Sequence, residues 1–277
     1  MSRSLPATKP QAEKTLGAEL ELAVDAARRA GSIQMDRYEH LERIVHKSEH
    51  DVVTEVDDLC EELILGAIRE AYPDDAYLAE ESGHSEDVSG RGRTDEGRVW
   101  IVDPLDGTVN YANGIPLFCV SIALAMRGRP VLGVLFDPVR DELFTACAGE
   151  GTRLDGEQVR HPTKEKLSDL VVALSLPPYG FARREGRIRK RIRVSRVLGS
   201  ASLALAWVAN GRFDAFVQPS GLSLWDVAAA GLIAEEGGAT VTDRSGGPWF
   251  DLSRKVRGVG IVAAAPAHQP TFLELIA

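Results

Sequence analysis

The sequence has little cysteine and no long uninterrupted apolar run. Its three cysteines, Cys60, Cys119 and Cys147, lie far apart in apolar patterns, so we expect buried free thiols in a reducing cytoplasm. The longest apolar stretch, residues 117–126, is interrupted by Ser121 and is far shorter than the roughly 20 residues that span a bilayer. These absences exclude a disulfide scaffold and a membrane-spanning helix, and they favour a cytoplasmic location.

Neither a secretory signal nor a basic surface is evident. The first 14 residues are polar and lack an apolar segment, so we expect a disordered tail over residues 1–14. Lysine and arginine total 32 against 41 aspartate and glutamate residues. The formal net charge of −9 disfavours non-specific nucleic-acid binding by the whole surface.

The length and composition are those of a globular α/β protein. The chain has 277 residues, of which 44% are hydrophobic and 26% charged. We expect one compact unit or two closely packed halves, because the sequence shows no internal repeat and no linker. Any division lies near residue 150, between an N-terminal α+β half, residues 15–150, and a C-terminal α/β half, residues 151–277.

Hydrophobic periodicity predicts alternating helices and strands. Apolar residues at three- and four-residue steps indicate amphipathic helices over residues 11–37 and 55–71. A continuous apolar run at residues 99–102 indicates a buried strand that stops at Asp103. The other predicted strands lie at residues 76–79, 117–125, 131–136, 142–146, 171–174, 213–217, near 240 and at 259–263, the three from 117 to 146 forming an antiparallel meander. The other predicted helices lie at residues 200–209, from Asp226 and after Pro266.

Carboxylates stand where several of these elements begin or end. Asp57 lies at a helix start, Glu80 and Asp103 end strands, Asp106 follows, and Asp226 precedes a helix. Because ligands collect outside the strand ends of open α/β sheets, we expect Glu80 and Asp103 to face one crevice. Carboxylates gathered in a cleft repel one another unless cations lie between them. Oxygen ligands with no histidine or cysteine nearby favour Mg²⁺, which substrate phosphate usually completes.

The segment from Asp103 to Thr108, DPLDGT, alternates candidate metal ligands with candidate phosphate donors. Proline after Asp103 stiffens the turn, which can aim the Leu105 carbonyl oxygen at the same cation. Gly107 permits close approach of a phosphate to the backbone. The N–H groups of Gly107 and Thr108, at the start of a short helical turn, predict an anion cradle.

Each carboxylate also has an ordinary structural interpretation. Thr54 and Asp57 match a helix capping box, and Asp226 matches a helix N-cap. Glu80 at the start of a polar loop suits a solvated charge, whereas Asp103 with proline and glycine suits a common turn. Only the combination of these residues with a buried strand favours a metal site.

Longer motifs resemble a known family. Residues 100–111, WIVDPLDGTVNY, resemble the first signature of the inositol monophosphatase family, and residues 224–238 resemble the second. Shorter blocks at residues 51–57, 79–82 and 199–201 occur in the expected order, and the resemblance covers roughly residues 15–270. It implies a layered αβαβα sugar-phosphatase sandwich with mixed and antiparallel sheets, usually a homodimer. The implied activity is Mg²⁺-dependent, lithium-sensitive hydrolysis of a small phosphate monoester by in-line attack of water.

The resemblance also implies roles for individual residues, with two or three Mg²⁺ ions per subunit. The expected metal ligands are Glu80, Asp103 and the Leu105 carbonyl for the first ion, Asp103, Asp106 and Asp226 for the second, and Asp57 for a third. The expected catalytic residues are Glu80 and Thr108, which orient the attacking water, and Asp57. The expected substrate contacts are Leu105, Asp106, Gly107, Thr108, Gly199, Ser200, Ala201 and Asp226.

Two features bear on the substrate. Seven residues before Asp226, where inositol-selective members carry a glutamate for sugar hydroxyls, this sequence has Pro219. Residues 183–196 hold eight basic side chains against Glu185, which suits a solvated basic helix or hairpin, or a contact with an anionic substrate. We therefore expect an inositol-1-phosphate-like substrate, with histidinol phosphate, 3′-phosphoadenosine 5′-phosphate or fructose 1,6-bisphosphate as alternatives. A nucleic-acid-binding regulatory protein that uses residues 183–196 is a remote alternative.

Overall fold

The computed structural model describes residues 16–40, 44–46, 52–84, 97–176, 182–253 and 256–277. The tail predicted at residues 1–14 lies outside these ranges. So does the start of the first predicted helix, which is described from Gly17 instead of residue 11. Within the described ranges, no helix combines the length and hydropathy needed to cross a membrane.

Two helices and a small hairpin form the first layer. Helix α1 (Gly17–Arg37) precedes the antiparallel pair β1 (Ile44–His46) and β2 (Val52–Thr54), and α2 (Glu55–Ala71) follows directly. Four alanines of α1, at positions 23, 26, 27 and 30, are fully buried, so their small side chains allow close approach to α2. The Thr54–Asp57 capping box predicted from the sequence is present at the start of α2.

An eight-stranded mixed sheet lies beneath these helices. Its strands β3 and β5 are parallel, and all other neighbours are antiparallel, which confirms the predicted meander. The strands are β3 (Ala76–Ala79), β4 (Gly83–His84), β5 (Arg98–Asp106), β6 (Cys119–Met126), β7 (Arg129–Asp137), β8 (Glu142–Cys147), β9 (Gly151–Leu154) and β10 (Glu157–Val159), with the short helix α3 (Thr108–Ala112) after β5. This sheet continues past residue 150, and the division of the chain into halves there stays a prediction.

A five-stranded sheet with four helices makes up the rest of the fold. In spatial order its strands are β12, β11, β13, β15 and β14, and the first three are parallel. The elements in chain order are β11 (Val171–Leu174), α4 (Ala182–Arg189), β12 (Val194–Arg196), α5 (Ala201–Ala209), β13 (Ala215–Ser223), α6 (Leu224–Glu236), β14 (Thr240–Thr242), β15 (Arg257–Ala264) and α7 (Gln269–Ile276).

The described residues form three apolar cores within five layers of helices and sheets. One lies between α1, α2 and the eight-stranded sheet, and a second, around α5 and α6, lies between the two sheets. A third packs α4 and α7 on the outer face of the five-stranded sheet through Ile188, Phe272 and Leu275. Each buried side chain of this size stabilises the fold by about 1.5–3 kcal/mol. The layer order is α, β, α, β, α, as predicted.

Several predicted boundaries are wrong, for physical reasons. Strand β5 does not stop at Asp103 but continues to Asp106, with the pairing to β6 interrupted between these residues. Pro104 lies in that interruption because it has no N–H to donate to the neighbouring strand. Helix α6 begins at Leu224, before Asp226.

Cys60 and Cys119 are buried free thiols, whereas Cys147 is only half-buried.

Candidate active site

Parallel pairing of β3 with β5 brings two predicted ligands together. Ala79 lies opposite Val102 in the register, so Glu80, just after β3, and Asp103, within β5, follow the last paired residues side by side. Asp103 is buried, with 1% of its surface exposed, and Glu80 is half-buried. Ligand sites form at the carboxyl ends of parallel strands for this reason.

The interruption in β5 turns Asp103 and Asp106 toward the same region. Asp103 Oδ1 accepts a hydrogen bond of 3.1 Å from the Leu105 N–H, and Asp106 resumes pairing opposite Cys119. The carbonyl oxygen of Pro104 accepts a bond of 2.8 Å from Gln34 Nε2, which fixes the turn against α1. The segment is thus held from both ends.

Asp226 reaches the same region from the first turn of α6. The N–H of Ser223 donates to Asp226 Oδ2 at 2.7 Å, and Ser223 and Asp226 form a reciprocal capping box. Asp226 is therefore the third residue of the helix, and its interpretation as the N-cap is wrong. The capping geometry engages one carboxylate oxygen and fixes the direction of the other.

Three carboxylates converge into one cluster. One oxygen from each of Asp103, Asp106 and Asp226 lies within 4.8 Å of the other two. Burial raises the pKa of Asp103 well above its ordinary value, and repulsion from Glu80, Asp106 and Asp226 raises it further. Burial also raises the pKa of Asp106. Buried, mutually repelling oxygens suit a divalent cation, which offsets both the desolvation and the repulsion. The donor set fits Mg²⁺.

Asp106 is also held by the start of α5. Its Oδ2 accepts from Ser200 Oγ at 2.6 Å and from the Ser202 N–H at 2.7 Å. Ser200 is the N-cap of α5 and accepts from the Leu203 N–H at 3.3 Å. These bonds and the positive end of the helix stabilise the Asp106 carboxylate and partly offset its desolvation.

Asp57 lies outside the three-carboxylate cluster and is connected to it through Thr108. Asp57 Oδ2 accepts from the Thr54 N–H at 2.8 Å, and Oδ1 accepts from Thr108 Oγ1 at 3.0 Å. Thr108 Oγ1 lies 2.9 Å from the Leu105 carbonyl oxygen. The pKa of Asp57 is raised to about 6: burial raises it most, Glu81 also raises it, and the bonds from Thr54 and Thr108 partly offset this.

The predicted phosphate-binding turn joins β5 to α3. Gly107 has φ +98°, and a Cβ at this position would lie 2.8 Å from the Leu117 carbonyl oxygen. Both the left-handed conformation and the close backbone contact require glycine. The turn therefore presents the N–H groups of Gly107 and Thr108 beside Asp106.

A cavity of about 190 Å³ adjoins the carboxylate cluster. It is bounded by Asp106 and by the loop that enters α5, which contains the predicted substrate contacts Gly199, Ser200 and Ala201. Gly199 has φ +77°, and a Cβ there would lie 2.7 Å from the Asn110 side chain. The structure thus brings together the cluster and the three predicted substrate contacts from the second half of the chain.

Comparison with known proteins agrees with this geometry. The sequence profile described as the inositol monophosphatase family matches residues 18–277. The chain belongs to this family. The prediction made from the signatures is confirmed, and so is the predicted fold class.

Relatives of this chain are named either SuhB or inositol monophosphatase. Nus factor SuhB from Pasteurella multocida is 38% identical over 256 residues, which cover 89% of this chain and 91% of that protein. Inositol monophosphatase 2 from Solanum lycopersicum is 38% identical over 259 residues, covering 90% and 94%. The crystal structure of extragenic suppressor protein suhB from Bartonella henselae matches with a TM-score of 0.84 at 32% identity, covering 94% and 98%. These matches support a phosphatase of the inositol monophosphatase and SuhB type.

Two residues that position the candidate metal ligands were not predicted from the sequence. Glu61 is buried and accepts from the N–H groups of Glu81 and Ser82 at 2.9 and 2.8 Å, so it holds the turn that carries Glu80. Ser202 donates its hydroxyl to the Asp226 carbonyl oxygen at 2.9 Å. The signal for Glu61 was its position four residues after Asp57, on the same face of the helix.

Proposed function

We propose that the chain is a Mg²⁺-dependent hydrolase of a small phosphate monoester. The observation that carries the proposal is the convergence of Asp103, Asp106 and Asp226 within 4.8 Å, with Glu80 beside Asp103. No structural requirement of the fold explains two buried carboxylates and a partly buried third at one point, since each destabilises the ionised form of the others.

The residues that would hold the metal follow from these positions. Glu80, Asp103 and the Leu105 carbonyl oxygen would hold one ion, and Asp103, Asp106 and Asp226 a second. Asp57 would hold a third, weaker ion. When bound, Mg²⁺ would lower the pKa of a coordinated water and neutralise charge on the phosphoryl oxygens. The family is Mg²⁺-dependent, and two or three ions per subunit is our proposal.

Thr108 and Glu80 are proposed to orient the attacking water. The Thr108 hydroxyl hydrogen is directed to Asp57 or to the Leu105 carbonyl oxygen, both of which are acceptors at 3.0 and 2.9 Å. The lone pairs of Thr108 Oγ1 are then available to accept a hydrogen bond from water. A second acceptor, the Glu80 carboxylate, would fix the other hydrogen and hold the water in line with the phosphorus.

The phosphate and its ester group are proposed to bind on opposite sides of Asp106. The N–H groups of Gly107 and Thr108 would donate to the phosphoryl oxygens at the turn before α3. The ester group would extend into the cavity bounded by Gly199, Ser200 and Ala201. Positioning and charge neutralisation are what phosphoryl transfer requires from a protein.

The substrate proposed first is inositol 1-phosphate or a similar small monoester, by family membership. The alternatives are histidinol phosphate, 3′-phosphoadenosine 5′-phosphate and fructose 1,6-bisphosphate, because Pro219 offers no carboxylate to sugar hydroxyls. A homodimer, lithium sensitivity and a cytoplasmic location stay predictions.

A second function of a different class is a regulatory protein that binds nucleic acid through residues 183–196. Relatives named Nus factor SuhB favour testing it, as does the basic character of this segment. Two of its arginines are paired, Arg189 with Glu185 and Arg193 with Asp169, which reduces the charge available for phosphates. This function predicts steeply salt-dependent RNA binding.

The test is a panel of phosphomonoesters assayed for phosphate release with Mg²⁺ and after chelation. The proposal expects turnover of at least one small monoester that stops with the chelator and returns with Mg²⁺. Turnover of none of them, with purified folded protein and saturating Mg²⁺, would contradict it.

A further inference from the structure

Three polar side chains occupy the ends of the parallel strands beside the candidate active site. Arg196 lies opposite Ala173, and Ala173 lies opposite Phe216, in the registers of β12, β11 and β13. Gln218 comes two residues after Phe216 on β13 and so shares its sheet face, and Ser175 comes two residues after Ala173, just past the end of β11. All five residues line the cavity that adjoins Asp106. The carboxyl ends of three parallel strands are where α/β sheets bind ligands.

Few charged side chains line this cavity. Among the described residues that line it, Asp106 is the only acidic side chain and Arg196 the only basic one. Asp106 Oδ2 already accepts from Ser200 and Ser202. Besides Asp106, the cavity therefore offers a guanidinium together with the neutral polar side chains of Ser175 and Gln218.

Arg196 differs from the two arginines of its segment that form salt bridges. Arg189 pairs with Glu185, and Arg193 pairs with Asp169 at 2.9 Å. Arg196 donates to the backbone carbonyl of Ser195 at 2.9 Å, and within the described chain no carboxylate lies within salt-bridge distance of it. A guanidinium has five N–H donors and binds a carboxylate or a phosphate through two at once.

Pro219 does not supply a carboxylate at this end. It is buried and lines a different cavity, and its carbonyl oxygen lies against Gly260, where a Cβ would be 2.0 Å away. Pairing of β13 with β15 is irregular between Gln218 and Leu222. Gln218, a neutral side chain, lines the cavity, and Asp106 is the one carboxylate among the described residues that line it.

We propose that Arg196 binds a second anionic group of the substrate, a carboxylate or a phosphate, while the scissile phosphate lies at the carboxylate cluster. The cavity of about 190 Å³ is lined by both Asp106 and Arg196, so one small ligand can contact both. The proposal rests on the phosphatase function and specifies its substrate class: small phosphate monoesters that carry another negative charge.

The test compares matched substrates that differ in that charge. 2-Phosphoglycerate has a carboxylate where glycerol 2-phosphate has a hydroxymethyl group, and fructose 1,6-bisphosphate has a second phosphate that fructose 6-phosphate lacks. kcat/KM is measured for each with wild-type protein, Arg196→Gln and the matched control Arg193→Gln. Wild-type protein is expected to prefer the more anionic member of one pair by about tenfold or more. The pair that shows the preference distinguishes carboxylate from phosphate.

Arg196→Gln is expected to reduce that preference about tenfold, mainly through KM, whereas Arg193→Gln keeps it, because Arg193 is outside the cavity. Preference for the less anionic member in both pairs, or equal ratios in both variants, would overturn the inference. Isothermal titration calorimetry of the same compounds separates it from the proposed function. Binding that depends on Arg196 without hydrolysis would support the inference and contradict the phosphatase. Hydrolysis that does not depend on Arg196 would support the proposed phosphatase function and contradict the inference.

Discussion

At the residue scale, the site is a set of carboxylates whose ionised forms are costly without a cation. Asp103 shows this most clearly, because burial and three neighbouring carboxylates all raise its pKa. At an effective dielectric near 20, a unit charge at 4 Å contributes on the order of 4 kcal/mol. The same oxygens that destabilise the metal-free protein are those that a divalent ion would bind.

Replacing Asp103 with asparagine separates catalysis from stability. Asp103→Asn is expected to lower kcat/KM by about three orders of magnitude, because a ligand oxygen loses its charge. In chelator at pH 7 its melting temperature should rise. A carboxyl with a raised folded pKa stabilises the fold below its unfolded pKa and loses that contribution as pH rises, and asparagine does not ionise.

The matched control is Asp141→Asn, an exposed residue paired with Arg28 on the surface. It should keep full activity and an unchanged melting temperature. Near-wild-type turnover of purified Asp103→Asn would refute the site.

Glu61 is a residue whose role is positioning. Glu61→Gln removes the charge that holds the Glu81 and Ser82 N–H groups, so Glu80 is placed less accurately. We expect about a tenfold loss of kcat/KM and a higher Mg²⁺ concentration for half-maximal rate, because charged hydrogen bonds contribute about 1.5–3 kcal/mol. Glu62→Gln, which alters an exposed neighbour on the same helix, should change neither quantity. Equal effects of the two variants would contradict a positioning role for Glu61.

At the element scale, the junctions between strands and helices determine the geometry. The interruption in β5, the turn before α3 and the capping box of α6 each place one acidic or phosphate-binding group. Glycine, proline and capping residues marked these junctions in the sequence. The interruption was not predicted, because an apolar run in the sequence does not show where the strand loses its hydrogen bonds to the neighbouring strand. The edge strand β12 was not predicted either, since its three residues, VSR, carry no periodicity.

The turn before α3 gives a prediction at this scale. Gly107→Ala is expected to destabilise the protein by about 3 kcal/mol, because left-handed backbone costs about 1–2 kcal/mol and the new methyl group contacts the Leu117 carbonyl. Gly156→Ala is the matched control, since Gly156 has φ +83° and a methyl group added there would meet nothing within 4 Å. It should show the backbone cost alone. Urea unfolding of both variants measures the difference, and equal losses would show that the contact is unimportant.

At the scale of the whole molecule, five layers bring together groups that are distant in sequence. The signatures predicted the family and the fold class, and the matched motifs contain the carboxylates that the structure brings together. The signatures did not predict Glu61, since a buried glutamate on a helix looks in sequence like an exposed one. Nor did they predict the cavity wall at Arg196, which depends on the register of three parallel strands.

A histidine in the connection between the two sheets predicts that the stability of the protein depends on pH. His161 lies on this connection, its Nδ1 2.8 Å from the Val208 carbonyl oxygen, and burial lowers its pKa. The bond to Val208 and the charge of Asp214 act in the opposite direction, and His268 and Lys164 lower the pKa further. A histidine with a lowered folded pKa stabilises the fold above its unfolded pKa. That contribution is lost as pH falls through the folded value.

Thermal unfolding between pH 7 and 5 tests this. Wild-type protein should lose stability as the pH falls, and His161→Gln should lose less, because glutamine can donate to the same carbonyl without titrating. His40→Gln, at an exposed histidine, should follow the wild-type curve. Identical slopes for wild type and His161→Gln would contradict the assignment.

The central claim is that distant carboxylates converge to bind divalent cations where the phosphate ester reacts. Anomalous diffraction from crystals grown with Mn²⁺ in place of Mg²⁺ tests it most directly. We expect an anomalous peak in contact with Asp103, Asp106 and Asp226, and its loss in Asp226→Asn crystals. Saturating Mn²⁺ with no peak at these side chains, in protein that still hydrolyses phosphate esters, would contradict the account.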